Sequence, residues 1–237
     1  MKAVLSLLFL SILIFCVWSG YKKGLVMGIF SLIAFVVSVY GANLLSQTYS
    51  GEVIDALRPF ASGFVEVNVV DKTVRPAMGI DSTNLSVKDY FAQNPGRETE
   101  FCTLTYNGMG IYESTSEQMA DEAVAYAKEN NAELIDAVVE VLCRRISYVG
   151  GFILAFVLIL LTVIGNIPNI SFQIPNHELL NDIGGAVAGL VQGMAFCLII
   201  GWALRFVGLL VSQETLSNTF LVSWFMDRTI FVHLLGI

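Results

Sequence analysis

The chain has 237 residues, of which 55% are hydrophobic and only 14% are charged, and its formal net charge is −7. Its mean hydropathy is +0.70. A soluble globular domain carries about 25% charged residues, so this composition excludes a protein that is surrounded by water on all sides. The negative charge also disfavours a protein that binds nucleic acid through a basic surface.

Four apolar segments follow one another along the chain, at residues 3–18, 25–45, 148–164 and 183–204. At about 1.5 Å per residue, the second and fourth are long enough to cross a hydrocarbon core of about 30 Å, and the other two are slightly shorter. The run GGFILAFVLILLTVIG in the third segment has no polar face to turn towards water. The segments therefore predict an all-α integral membrane protein with four transmembrane helices.

A polar insert separates the second apolar segment from the third. Residues 46–146 contain 16 Asp and Glu but only 8 Lys and Arg, a net charge of −8. Most of the insert is predicted to be helical: Ser86 is typical of an N-cap before a short helix, and an apolar stripe that begins at Leu134 continues into the third apolar segment. The stretch EFCTLTYNGMGIYEST, residues 100–115, instead favours a small extended or turn segment around NGMG.

These patterns divide the chain into four parts. We predict a transmembrane hairpin at residues 1–45, a mainly helical, acidic, soluble insert at 46–146 and a second transmembrane hairpin at 147–212. Residues 213–237 are predicted to be an interfacial amphipathic tail, with Phe220, Leu221, Trp224 and Phe225 on one helical side. The first apolar segment could alternatively be a cleaved signal peptide, although its leading end carries only Lys2, while Lys22 and Lys23 follow the apolar run.

The positive charges next to the apolar segments give opposing indications about orientation. Lys22 and Lys23 lie in the shortest loop and favour a cytoplasmic position for it, whereas Arg144 and Arg145 favour a cytoplasmic insert. Because long loops contribute little to this rule, we expect the insert to lie outside the cytoplasm. Cys102 and Cys143 of the insert could form a disulfide in that oxidising space, or they could be two separate free thiols.

Glycine recurs at every fourth position in two of the apolar regions. Glycine weakens a water-exposed helix by about 1 kcal/mol, but within lipid a small residue at this spacing lets two helix backbones approach closely. The positions predicted to pack helices in this way are Gly24, Gly28, Gly185, Gly189 and Gly193. Gly20 is predicted to help form the turn before the two lysines instead.

Two stretches of this sequence resemble the colicin V production protein (CvpA) family of bacterial inner-membrane proteins. They are GYKKGLVMGIFSLIAFVVSVYGANLL and LLNDIGGAVAGLVQGMAFCLIIGWAL. The resemblance covers residues 1–45 and 148–212 and leaves the insert unexplained. It implies a multi-pass protein of the bacterial cell membrane, linked to colicin V-type toxin production or export and to envelope maintenance. The sequence departs from the family pattern at Gln192, where a basic residue is frequent, and at Asn181–Asp182, where an acidic–basic pair is usual.

The sequence contains no recognisable catalytic grouping. The insert has no histidine, because the two histidines of the chain are His177 and His233. A Ser–His–Asp or Cys–His arrangement within the insert is thereby excluded, and the cysteines and carboxylates lack metal-ligand spacing. We therefore expect no catalytic residue, no cofactor and no metal.

Polar residues within apolar segments are the remaining candidates for function. Gln192 could form hydrogen bonds across a helix interface, and Arg205 could extend to the lipid headgroups. The sequence favours a non-enzymatic envelope scaffold whose partners are the lipid bilayer and either further copies of itself or another envelope protein. The alternative is a small oligomeric transporter or channel subunit, in which Gln192 and Arg205 line a path.

Overall fold

The computed structural model describes residues 2–80, 86–94, 96–166, 178–206 and 220–226. Its helices are α1 (Lys2–Phe64), a π-helix (Val65–Val74), α2 (Arg75–Met78), α3 (Val87–Gln93), α4 (Glu98–Gly108), α5 (Glu113–Asn130), α6 (Leu134–Asn166), α7 (Glu178–Leu204) and α8 (Phe220–Met226). None of these described residues forms a β-strand, so the predicted all-helical class is confirmed.

Three helical stretches of the described chain are long and apolar enough to cross a membrane. They are Val4–Met78, Leu134–Val163 and Glu178–Leu204. The sequence predicts four spans rather than three, and the first two of them both fall within α1. The course of α1 therefore decides how these spans are arranged.

α1 changes direction at Gly24, where φ is 79° and ψ is 173°, values outside the helical region. The sulfur of Cys197 lies 3.9 Å from the carbonyl oxygen of Phe9. The ring centroids of Phe35 and Phe196 lie 4.9 Å apart. In a straight helix, residues 9 and 35 would be about 39 Å apart, yet both contact the same level of α7. α1 therefore folds back on itself at Gly24.

We call residues 2–23 the first arm of α1 and residues 25–64 the second arm. Gly20 of the first arm and Gly28 of the second both lie against Gly185 of α7. Moving away from Gly24 along either arm leads further along α7 towards its C-terminal end. The first arm is therefore antiparallel to α7, and the second arm is parallel to it.

The C-terminal half of α6 packs on the second arm and on α7 through aromatic rings. The ring of Phe156 lies 5.4 Å from that of Phe35 and 6.0 Å from that of Phe196. Phe152 lies 5.4 Å from Trp202. These pairs are edge-to-face, the arrangement that the quadrupole of an aromatic ring favours. Because Phe152 precedes Phe156 whereas Trp202 follows Phe196, α6 is antiparallel to α7.

The described residues form two compact units. The first, which we call the apolar unit, contains residues 2–47, 150–166, 178–204 and 220–226. The second, which we call the acidic unit, contains Thr48–Val149 together with residues 205–206. α1 and α6 each contribute residues to both units.

The acidic unit is built around its own apolar core. The π-helix, α4, α5 and the N-terminal half of α6 contribute buried side chains to one continuous cluster. At its centre the hydroxyl of Tyr106 donates a hydrogen bond of 3.0 Å to the carbonyl oxygen of Val138. Ser86 caps α3 as the sequence predicts, since its hydroxyl oxygen accepts the N–H of Asp89 at 3.1 Å.

One prediction for the insert is wrong. Residues 101–108 were expected to be extended or in a turn, but they belong to helix α4, which ends at Gly108. Phe101, Thr105 and Tyr106 are fully buried on one side of this helix. Their spacing suits a helix that packs against α5, and this tertiary burial outweighs the weak local preference of the NG dipeptide for a turn.

Candidate functional site

Glycines bring the first arm of α1 and α7 into backbone contact. A Cβ atom added at Gly20 would lie 2.9 Å from the Cα of Gly189 and would overlap the carbonyl oxygen of Gly185. One added at Gly189 would lie 3.0 Å from the carbonyl carbon of Cys16. No side chain larger than hydrogen fits at these crossing points, so the two helices approach as closely as their backbones allow.

The structure moves Gly20 from the turn to the packing contact, and it gives Gly24 the turn as well as its predicted packing role, since a Cβ atom added at Gly185 would lie 2.8 Å from the Cα of Gly24. Gly20 was assigned to the turn, but it lies in the backbone contact with α7. The turn is at Gly24, because its positive φ is a conformation that residues with a side chain rarely adopt. Gly28 faces the methyl group of Ala188, and Gly193 faces the side chain of Cys16.

Asn181 supports the turn at Gly24 from a different helix. Its side-chain oxygen accepts the backbone N–H of Leu25 at 3.1 Å, and the residue is only 5% exposed. Leu25 is the first residue of the second arm, so its N–H has no carbonyl partner within that arm. Asn181 therefore acts as an N-cap supplied by α7. In the sequence, Asn181 differs from its surroundings only as a departure from the CvpA family pattern, because a cap between distant segments has no local signature.

A cavity of about 620 Å³ lies between the two arms of α1 and α7. This volume is within the range of about 300–1,000 Å³ that is usual for small-molecule sites. The wall is mostly apolar, and its polar side chains are Ser11, Ser19, Lys23, Ser31 and Gln192. All of these residues belong to the apolar unit.

Gln192 and the two hairpin lysines have different surroundings. The hydroxyl of Ser31 donates a hydrogen bond of 2.9 Å to the side-chain oxygen of Gln192, which joins the second arm to α7 within the cavity wall. Lys22 places its ammonium group 4.2 Å from the ring centroid of Trp18, a cation–π contact. Lys23 lines the cavity instead.

Arg205 does not line this cavity. It belongs to the acidic unit, and its carbonyl oxygen accepts the N–H of Tyr112 at 3.0 Å. The residue is only 4% exposed, so its side chain is buried in the protein rather than extended away from it. The two polar residues singled out from the sequence, Gln192 and Arg205, therefore occupy different environments.

Cys102 and Cys143 are both free thiols buried in the core of the acidic unit. Burial raises the pKa of Cys102 to about 12, and the negative charge of Glu98 acts in the same direction. A thiol with so high a pKa is neutral near pH 7 and is a poor nucleophile. Neither the pKa nor the burial of Cys102 is that of a reactive cysteine.

The predicted tail and the histidines are only partly within the described chain. His177 and His233 lie outside the described residues, as do residues 213–219 and 227–237 of the tail. α8 is the part of the tail that is described. The ring of Phe225 packs 5.7 Å from that of Phe9, while Trp224 is 44% exposed.

The side chains that line the cavity can form hydrogen bonds and one charge contact with a ligand. Within the described ranges, no three metal-ligating side chains come together. What the apolar unit does offer is an elongated cavity with a lysine, three hydroxyl groups and one amide in an otherwise apolar wall. No family model, curated protein or solved structure matches this chain.

Proposed function

We propose that this chain is a multi-pass protein of the bacterial cell membrane that crosses the bilayer four times and presents its acidic unit as an envelope scaffold. The observation that supports this most strongly is the reversal of α1 at Gly24. It turns one long helix into two antiparallel arms, each with an apolar stretch of roughly the length that a membrane crossing needs.

The directions of the helices agree with four crossings. The first arm and α7 are antiparallel, the second arm is parallel to α7, and α6 is antiparallel to α7. The order along the chain is therefore up, down, up, down. Large apolar side chains on the outer faces, such as Leu7, Val36, Leu154 and Leu161, are more than 60% exposed and would contact lipid tails in this arrangement.

The resemblance to the CvpA family points to the same arrangement and adds a role. It implies a location in the bacterial inner membrane and a link to colicin V-type toxin production or export and to envelope maintenance. The turn of the first hairpin, which carries Lys22 and Lys23, then lies on the cytoplasmic side, and the acidic unit lies outside the cytoplasm. Its partner would be another envelope protein or a further copy of the chain, held by the unit's water-exposed surface.

The crossing number is tested by labelling single introduced cysteines from one side of the membrane. Gln118 is an exposed position of the acidic unit, and Tyr21 is an exposed position beside the first hairpin turn. We expect an impermeant maleimide to label Gln118→Cys in intact spheroplasts, and to label Tyr21→Cys only after lysis. Labelling of both from the same side would contradict a crossing by the second arm.

The scaffold role is tested by photocrosslinking in the native membrane. A photoreactive residue in place of Gln118 should give a discrete crosslinked species, because a scaffold holds its partner in a defined position. The same residue placed at lipid-facing Leu161 is the control and should not give that species. Absence of any discrete adduct from several exposed positions of the acidic unit would contradict the scaffold role.

The cavity favours a second candidate function, a small transporter or channel subunit. Polar groups such as Gln192 and Ser31 between apolar helices could line a path for a solute. Liposomes that contain the purified protein would then show a solute flux, and Gln192→Leu would abolish it. The scaffold proposal expects the same flux in liposomes with and without the protein.

A further inference from the structure

The cavity between the arms of α1 and α7 is long and has one charged end. Lys23 stands at the hairpin turn, and Ser11 lies twelve residues earlier on the first arm. At about 1.5 Å per residue, the wall between them is about 18 Å long. On α7 the wall ends with Phe196 and Ile200, so the end away from Lys23 is apolar.

Lys23 places a positive charge at the hairpin-turn end of the cavity. The described residues do not neutralise this charge. Within the described part of the chain, no carboxylate lies within ion-pair distance of its ammonium group. Lys22, its neighbour, is directed onto the ring of Trp18 instead. The cavity therefore combines an available cation at one end with an apolar wall at the other.

Hydrogen-bonding groups follow Lys23 along the wall. Ser19 lies one helical turn before Lys23, and Gln192 lines the wall from the side of α7. The side-chain oxygen of Gln192 accepts the hydroxyl of Ser31, and its amide nitrogen makes no hydrogen bond to the described residues. These groups offer donors to ester and glycerol oxygens that lie below a phosphate.

We propose that this cavity binds one anionic phospholipid of the surrounding bilayer, with its phosphate beside Lys23 and one acyl chain along the apolar wall. The proposal rests on the membrane placement argued above. A leaflet contributes about 15 Å of hydrocarbon, half of a core of about 30 Å, which is close to the length of the wall. A free anion would occupy only the lysine end and would leave the apolar part without a ligand, which is why the lipid is favoured.

The test uses the purified full chain in detergent and native mass spectrometry during titration with defined lipids. We expect a one-to-one adduct with phosphatidylglycerol, and at least fivefold weaker binding of phosphatidylcholine with the same chains. Lys23→Gln should weaken phosphatidylglycerol binding about fivefold, the effect of one basic residue near an anionic lipid. Lys22→Gln is the matched control and should change it less than twofold, because Lys22 does not line the cavity.

A second variant tests the acyl-chain end. Ser11→Leu puts a larger side chain into the wall where the acyl chain would lie, and it should therefore weaken binding of the lipid. Equal binding of the two lipids, or equal effects of the two lysine substitutions, would overturn the proposal. Displacement of the lipid by millimolar glycerophosphate would identify a free-anion site and would also overturn it.

The lipid proposal and the membrane arrangement fail in distinguishable ways. If the cysteine labelling supports four crossings but Lys23→Gln and Lys22→Gln behave alike, only the lipid site is rejected. If the labelling places residues 21 and 118 on the same side, the four-crossing arrangement is rejected, whatever the lipid titration shows.

Discussion

Single glycines determine how closely the helices of the apolar unit approach and where the chain turns. Glycine permits two different things: a backbone conformation with positive φ, as at Gly24, and contact without an intervening side chain, as at Gly20 and Gly189. The spacing in the sequence predicts a glycine-rich face, but a glycine in a turn and a glycine in a packing contact look identical in the sequence. For that reason the turn could not be told from the packing position until the contacts were known.

Gly189→Ala is expected to destabilise the apolar unit by about 1–3 kcal/mol, the usual cost of forcing an extra methyl into a filled space. The new Cβ would lie 3.0 Å from the carbonyl carbon of Cys16, and a backbone cannot rotate away as a side chain can. Thermal unfolding in detergent, followed by circular dichroism, measures the change. Gly150→Ala in α6 is the matched control, because nothing lies within 4 Å of its added Cβ, and it should leave the unfolding temperature unchanged or raise it. Equal unfolding temperatures for the two variants would contradict the backbone contact.

Where a helix of this fold begins can depend on a residue that a different helix supplies. The second arm of α1 begins at a residue whose N–H is satisfied by Asn181 of α7, more than 150 residues later in the chain. Hydropathy predicts both apolar stretches, since a membrane-length run of apolar residues is a local property. The cap and the helical state of residues 101–108 depend on neighbours in space, and neither could be predicted from the adjacent residues.

Asn181→Ala is expected to cost about 1–3 kcal/mol, because it leaves the part-buried N–H of Leu25 without its acceptor. Asn181→Asp should recover much of this loss, since a carboxylate still accepts the hydrogen bond and a negative charge is favourable at a helix N-terminus. Chemical unfolding of both variants in the same detergent provides the comparison. If Asp and Ala are equally destabilising, the hydrogen bond that the side-chain oxygen accepts is not what Asn181 contributes, and the capping role is contradicted.

At the scale of the whole molecule, the chain is organised as two units with different cores. The apolar unit is held by backbone contacts between glycines and by aromatic pairs, and much of its apolar surface is exposed. The acidic unit has an apolar interior of its own, with Tyr106, Cys102 and Cys143 all buried in it. Its thiols therefore report on the integrity of this unit.

Cys102 is expected to resist thiol reagents at pH 8 until the acidic unit unfolds. Its pKa is raised from an ordinary value of 9.0 to about 12, so both burial and protonation protect the thiol. Pulsed maleimide labelling across a denaturant series, read by mass spectrometry, should show Cys102 and Cys143 becoming reactive at one midpoint. Rapid labelling of Cys102 without denaturant would show that this core is not formed.

The same raised pKa predicts a dependence on pH. Unfolded Cys102 loses its proton near pH 9, whereas folded Cys102 keeps it until about pH 12. The stabilisation that this difference represents is complete below pH 9 and is lost as the pH rises towards 12. The unfolding midpoint of the wild-type acidic unit should therefore fall over this range, and Cys102→Ala should show a smaller fall. A fall of equal size in both would assign the effect to other groups.

The sequence by itself determined the all-helical class, the apolar segments and the concentration of negative charge between the second and third of them. These are properties of composition and of nearest neighbours along the chain, which is why they can be read locally. Only the tertiary structure decided that the reversal predicted within residues 1–45 falls at Gly24, that Asn181 caps the second arm and that a cavity with Lys23 in its wall remains between the two arms of α1 and α7. Each of these arises where segments distant in sequence meet, and the geometry of such a meeting depends on all the packed side chains together.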